Sequence, residues 1–299
     1  MKYHNPALLK ESIEGLNIDP NGTYVDVTFG GGGHSREILK NLNKDGRLIA
    51  FDRDPDAVAN IIEDDRFTLI RQNFRYIKNF LKLYGAIPVD GILADLGVSS
   101  HQFDVAERGF SIRHDAVLDM RMDPSSGKSA LEVINTYEET ELKRIFKEYG
   151  ELHNAGKIAK LIVQARLEKE IKTVNELKAT LQSLTFKPKE NSFFAQVFQA
   201  IRIEVNGEMD DLKEFLIQSI DVLKKGGRLA VISYHSLEDR PVKNFMRSGK
   251  LEGEVEKDFF GNPITPIKPL ITKPIVPSAQ ELKENSRSRS AKLRIAEKI

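Results

Sequence analysis

The feature that most constrains this chain is a short apolar run, Tyr24-Val25-Asp26-Val27-Thr28, that leads into four consecutive glycines, Gly30–Gly33. A turn between a strand and a helix makes good use of that arrangement. Glycine accepts positive φ and lets backbone approach a ligand closely, and the helix that follows presents its first N–H groups. The helix here is predicted over His34–Asn41. Further strands are predicted at Arg47–Phe51, ending at Asp52, at Phe67–Ile70, and at Gly91–Ala94, ending at Asp95. Pro55–Ile62 reads as a helix that opens with proline in its first turn. This alternation predicts an α/β fold: a mostly parallel, Rossmann-like sheet with helices on both faces.

The next convincing strand is Arg228–Ile232, announced by Gly226-Gly227. The distance from Asp95 far exceeds the about 10–12 residues that a crossover needs, so something is inserted. Leu142, Ile145, Phe146 and Tyr149 follow helical spacing, as do Ile158, Leu161, Ile162 and Ala165, and Leu177, Leu181 and Leu184. Thr173 and Glu176 have the form of a capping box. The expected division is a sheet domain of residues 1–103 and 192–299, with an inserted helical substrate-recognition subdomain over 104–191. Phe194–Leu223 should return the chain as helix. Leu270–Val276 and Lys292–Ile295 are late strand candidates suited to an antiparallel hairpin on the sheet edge.

Composition excludes several classes. The 299 residues carry 45 Lys and Arg against 44 Asp and Glu, so any nucleic-acid surface must arise from local charge segregation. The sequence has no cysteine, which removes thiolate catalysis and Cys-ligated metals. The six histidines lack metal-ligand spacing, so no metal site is expected. Apolar runs fall short of the ~20 residues of a membrane span, and the first ten residues lack a signal peptide's apolar segment. A cytoplasmic protein without a membrane partner is expected; no signal of oligomeric state is present.

Asp52 ends a strand about 20 residues beyond the glycines, where an acid can take two ribose hydroxyls. Asp95 ends another strand on the same carboxyl edge, the edge at which open α/β sheets bind ligands. A glycine turn with two acids describes a pocket for an adenosine-bearing cofactor, either a nicotinamide dinucleotide or S-adenosylmethionine. Glycine spacing leaves both open. Asp26 and Asp95 lean toward S-adenosylmethionine, whose cationic amino acid end welcomes carboxylates. Gly127-Lys128-Ser129 resembles the end of a phosphate loop, but Met122 stands where that loop needs glycine. His235, Ser236 and Asp239 are too close in sequence to converge as a catalytic triad.

Taken together, several segments resemble one family. They are Thr28-Phe29-Gly30-Gly31-Gly32-Gly33-His34-Ser35, Phe51-Asp52-Arg53-Asp54-Pro55 and Asp90-Gly91-Ile92-Leu93-Ala94-Asp95-Leu96-Gly97-Val98-Ser99-Ser100. Leu118-Asp119-Met120-Arg121-Met122-Asp123-Pro124, Phe198-Gln199-Ala200-Ile201-Arg202-Ile203 and His235-Ser236-Leu237-Glu238-Asp239-Arg240 belong with them. In this order they resemble the bacterial 16S rRNA cytosine-N4 methyltransferase H family, once called MraW. The resemblance implies a class I methyltransferase fold with a helical insertion, S-adenosyl-L-methionine as cofactor, and a cytidine in the decoding region of 16S rRNA, in the small ribosomal subunit, as target. By position it implies that Gly32, Gly33 and His34 contact the cofactor, that Asp52 holds the ribose, that Phe74 lies by the adenine, and that Asp95 and Gln102 close the site. Phe80 is the rival aromatic. The sequence departs from many relatives at Ser192-Phe193-Phe194-Ala195-Gln196-Val197, where they carry His and basic residues.

A cytosine N4 is a poor nucleophile because its lone pair is delocalised into the ring. An acceptor must turn the amine out of conjugation and receive its proton. Asp95 is the first candidate, with the carbonyls of Leu96 or Gly97 as substitutes and Asp119, Asp123 and His235 in reserve. The base must be splayed from folded RNA and stacked, for which Phe103, Phe110 and Tyr234 are available. Lys283–Lys298 holds six Lys and Arg against two Glu, and serines around Arg287 and Arg289 suit a phosphate-binding lip.

Overall fold

The structure, a computed structural model, describes residues 6–253, 256–261 and 264–299. Its strands are β1 Thr23–Asp26, β2 Arg47–Phe51, β3 Phe67–Ile70, β4 Val89–Asp95, β5 Leu223–Ser233, β6 Ile267–Pro269 and β7 Lys292–Lys298. Its α-helices are α1 Leu9–Leu16, α2 Gly33–Lys40, α3 Ile77–Leu83, α4 Ser100–Asp104, α5 Ala130–Thr136, α6 Glu139–Glu148, α7 Ala155–Glu168, α8 Val174–Leu181, α9 Glu190–Asn206, α10 Glu208–Val222, α11 Ser236–Ser248 and α12 Ala279–Glu284. The chain divides into two compact units, Met1–Gly97 with Met209–Ile299, and Val98–Glu208. Among the described residues no helix is long and apolar enough to cross a membrane.

The first unit is built on one sheet of order β3-β2-β1-β4-β5-β7-β6. The first five of these strands run parallel. β7 is antiparallel to both β5 and β6, the expected late hairpin. Side chains alternate across the sheet. Ile49, Phe51, Ile92, Leu229 and Val231 face one buried cluster, which includes Ile77 and Leu81 of α3, Phe215 of α10 and Phe245 of α11. Leu48, Ala50, Leu93, Ala230 and Ile232 face the other, with Leu16 of α1 and Ile38 of α2. Strand order reverses at β1, between β2 and β4. The carboxyl ends of β1 and β4 therefore flank the switch point, the crevice at which such sheets usually bind ligands.

The second unit is helical. Leu142, Ile145 and Phe146 of α6, Ile158 and Ile162 of α7, and Leu177 and Leu181 of α8 share one buried cluster. The capping box at Thr173 is formed: its Oγ1 accepts from Glu176 N, and the Glu176 carboxylate accepts from Thr173 N. The unit reaches past 104–191 because Phe194, Val197, Phe198 and Ile201 of α9 pack into the same cluster.

Local structure differs from expectation at three places. Pro55–Asn60 is 3-10 helix, with Asp54 accepting from Asp56 N, the tighter form common in short connecting pieces. The helix expected over Phe194–Leu223 breaks into α9 and α10 at Gly207, whose φ of 61° caps the first. The strand expected at Leu270–Val276 is replaced by β6, and Ile275 forms only an isolated bridge to Leu293. Pro269 and Pro274 lack the N–H groups that a continuous ladder would need.

Candidate active site

The glycine turn leaves β1 and enters α2. Gly30 and Gly32 have φ of 50° and 73°, a region in which side chains with Cβ are strained. At Gly32 a Cβ would also lie 2.8 Å from the Phe29 ring. The turn is held from outside: Arg36 Nη1 donates to Gly31 O and Asn60 Nδ2 to Gly30 O.

Asp52, at the end of β2, is wired into that turn. Its Oδ2 accepts from Gly30 N at 2.7 Å and its Oδ1 from Asp54 N at 2.8 Å. Burial raises its pKa to about 6 against the pull of those two N–H bonds.

Asp95, at the end of β4, stands at the crevice. Its N–H donates to Thr28 Oγ1 at 2.6 Å, and its Oδ1 accepts from Tyr234 Oη at 2.7 Å. Burial raises its pKa to about 6, opposed by His34 and the Tyr234 hydroxyl. His34, buried in the first turn of α2, hydrogen-bonds Ala7 O through Nε2 at 3.1 Å. That nitrogen therefore carries the proton, and burial lowers the ring's pKa and keeps it neutral. Nδ1 faces Asp95 Oδ2 from 3.8 Å. The Tyr234 phenol is pushed well above its ordinary pKa by burial and by Asp95, so it stays a donor. The Glu238 carboxylate fixes this corner, accepting from Tyr234 N at 2.8 Å and lying 3.1 Å from His235 Nε2.

The remaining expectations meet different fates. Asp26 turns inward, where it accepts from Ser35 Oγ at 2.6 Å and Thr28 N at 3.1 Å. Phe74 follows β3 and meets Phe215 edge-on at 5.5 Å, while Phe80 packs on Phe51 at 6.2 Å. Asp239 is clamped by Arg294 Nε at 2.7 Å, which removes it from any triad. In the helical unit, Gln102 closes a capping box with Ser99 at the start of α4. Asp119 is gripped by Arg121 through Nε at 2.8 Å and Nη2 at 2.9 Å. Burial raises its pKa, but those bonds outweigh burial and leave it low. Asp123 accepts from Ser125 Oγ at 2.6 Å. Ser129 caps α5, so Gly127-Lys128-Ser129 is a helix start rather than a phosphate loop. Phe110 is buried in the helical core, and Phe103 is 37 % exposed.

The sequence offered Tyr234 only as a stacking group; its place just past the end of β5, on the same carboxyl edge as Asp95, was the available signal. The donor set also bears on the cofactor. Asp52 and Asp95 suit a ribose diol and an ammonium. A pyrophosphate would meet carboxylates, with the guanidinium of Arg36 engaged on Gly31 O.

Sheet order, glycine turn and acids at the strand ends together define a Rossmann-like methyltransferase. The chain belongs to the MraW methylase family, whose model matches residues 1–299. S-adenosyl-L-methionine is its cofactor. It is similar to the ribosomal RNA small subunit methyltransferase H of Flavobacterium johnsoniae, 60% identical over 299 residues, which cover 100% of this chain and 99% of that one. The protein of the same name from Bacteroides thetaiotaomicron is 56% identical over 298 residues, 100% and 98% of the two chains. Among solved structures, an rRNA methylase from Streptococcus thermophilus aligns with a TM-score of 0.41 at 13% identity, over 97% of this chain and 93% of that one.

Proposed function

We propose that this protein methylates the N4 amine of a cytidine in the decoding region of 16S rRNA, in the cytoplasm, with the small ribosomal subunit or its RNA as partner. Relatives named small subunit rRNA methyltransferases, 55–60% identical to this chain, support the RNA class. The observation that carries the chemistry is the Asp95 carboxylate, held through one oxygen by the Tyr234 hydroxyl at 2.7 Å in the crevice beside β1.

When bound, the cofactor supplies an electrophilic methyl group on a sulfonium. Asp52 would accept the ribose hydroxyls, Phe74 would lie by the adenine, and Gly32, Gly33 and His34 would contact the cofactor. Asp95 uses Oδ2 to accept an N–H of the target amine and turn its lone pair out of conjugation. In-line attack requires that nitrogen within about 3 Å of the methyl carbon. With a pKa of about 6, Asp95 is ionised at neutral pH yet basic enough to take the proton that the amine loses. The carbonyls of Leu96 and Gly97 extend the acceptor set. Gly97, with φ of 92°, turns the chain sharply there. Asp119, Asp123 and His235 have no part in this scheme: the first is neutralised by Arg121, the second shapes a turn and the third faces Glu238.

The helical unit is proposed to grip the RNA. Its exposed Lys143, Lys147, Lys157 and Lys160 suit phosphates, whereas Arg144 and Arg166 are engaged by Glu204 and by Ile134 O. The decisive experiment is a mass-spectrometric map of methylated cytidines in small-subunit RNA from cells with and without the protein. Loss of one N4-methylcytidine, restored by the wild-type protein and not by Asp95→Asn, is expected. Loss of a C5 or ribose methyl mark instead would overturn the assignment.

A further inference from the structure

We infer that Asp211 is a positioning residue for the adenosine half of the cofactor. The inference rests on the proposed roles of Asp52 and Phe74. Asp211 lies in the first turns of α10, and its side chain is 3% exposed. Its Oδ2 receives Asn73 Nδ2 at 2.6 Å and Arg53 Nη1 at 3.2 Å; its Oδ1 receives Arg75 Nη1 at 3.1 Å. These donors come from two neighbouring strand exits. Arg53 directly follows Asp52 at the end of β2. Asn73 and Arg75 flank Phe74 just beyond β3.

The same face of α10 continues the grip. Phe215, four residues on, meets the Phe74 ring edge-on at 5.5 Å. Gln218, seven residues on, donates from Nε2 to Arg75 O at 2.7 Å and accepts from Lys78 N at 3.1 Å. This spacing is one stripe of a helix. Asn73 in turn accepts from Arg75 N at 2.9 Å and so shapes the 3-10 turn that carries Phe74. One buried carboxylate thus sets the direction of Asn73, the turn behind it and the backbone beside Asp52.

A buried ion cluster is weak evidence for stability, because desolvation offsets its Coulomb gain. What this cluster supplies is register between the ribose acceptor and the aromatic expected by the adenine. Neither Asp211 nor its donors need touch the cofactor for this effect.

The test is calorimetric titration of full-length Asp211→Asn with S-adenosylhomocysteine and with 5′-methylthioadenosine, which lacks the amino acid carboxylate and ammonium. Both affinities should fall by a similar factor, about tenfold or more. The maximal methylation rate at saturating cofactor should change less than the KM for cofactor. A merely structural role would lower the thermal midpoint and leave the folded protein's affinities alone. Asn73→Ser, which removes the amide donor and keeps Asp211, covers the case in which Asp211→Asn does not fold, and should show the same paired loss. Asp52→Asn separates the two levels of the claim. Wild-type affinity in Asp52→Asn would remove the reading of the pocket on which the inference stands. Weakened binding in Asp52→Asn, with wild-type affinity in folded Asp211→Asn or in Asn73→Ser, would overturn the inference alone.

Discussion

Two aspartates of this site, Asp52 and Asp95, hold their protons to about pH 6 because they are buried. Ligand affinity and protein stability then respond to pH with opposite signs. Under the proposed assignment the cofactor's ribose hydroxyls prefer an ionised Asp52, so affinity for S-adenosylhomocysteine should fall as pH drops through 6, by up to about tenfold per pH unit. Stability of the ligand-free protein runs the other way. A carboxyl whose folded pKa lies above its unfolded value of 3.8 contributes most below that value, and the contribution is lost as pH rises through about 6. Relative to Asp52→Asn, the wild type should therefore gain thermal stability between pH 7 and 5 while losing affinity. Parallel pH profiles for the two proteins would contradict the assignment. At pH 7.5, Asp52→Ala should weaken cofactor binding by about 1.5–3 kcal/mol, read by calorimetry. The same change frees Gly30 N, which now donates to Asp52.

At the scale of elements, α6 and α7 of the helical unit divide their cations by task. Arg144 reaches Glu204 at 2.9 Å, and Arg166 donates to Ile134 O at 2.8 Å; replacing either would damage packing as well as charge. Lys157 and Lys160 are exposed on α7, so they are the better probes. Lys157→Glu with Lys160→Glu should raise the RNA dissociation constant steeply, since each change removes an attraction and adds a repulsion. The single-turnover rate at saturating RNA should stay near wild type. A collapsed rate with normal RNA affinity would end the proposed division of labour. In the C-terminal segment, Arg294 and Lys292 face Asp239 at 2.7 and 3.9 Å. Arg287 and Arg289, set among serines on the 3-10 turn Ser286–Ser290, are the phosphate candidates to test. Changing both to Ala should flatten the log–log salt slope of RNA binding by about 0.7–0.9 per lost contact, with cofactor affinity unchanged. An unaltered slope would return the segment to a solvated surface.

For the molecule as a whole, each unit has its own buried core, so the effect of cofactor on local opening should be uneven. Hydrogen exchange with saturating S-adenosylhomocysteine should slow at the exits of β1, β2, β3, β4 and β5, around residues 28–34, 52–54, 73–76, 95–97 and 234. Buried helices of the second unit, such as α6 and α8, should change little. Protection spread evenly over α6 and α8 would instead mean that the cofactor orders both units together.

Local pattern alone determined most of the sheet. β2 and β3 match the expected runs residue for residue, because apolar segments bounded by glycine or charged residues signal their own ends. Asp52 and Asp95 were legible for the same reason: each closes such a run, and parallel strands bring their ends to one edge. The three helical stripes were legible because a period near 3.6 is a property of neighbours in sequence. The rest depended on partners that lie far along the chain. Nothing near Asp95 announces that Tyr234, 139 residues away, donates to it. Asp211 reads as an ordinary acid in a helix until the fold brings Arg53, 158 residues distant, against it. Asp26 seemed a ligand contact in the sequence, and only the packing of α2 on the sheet gave its carboxylate to Ser35. Strand ends and helix faces are decided by local periodicity; the protonation and aim of buried side chains are decided by which remote groups share their low-dielectric surroundings.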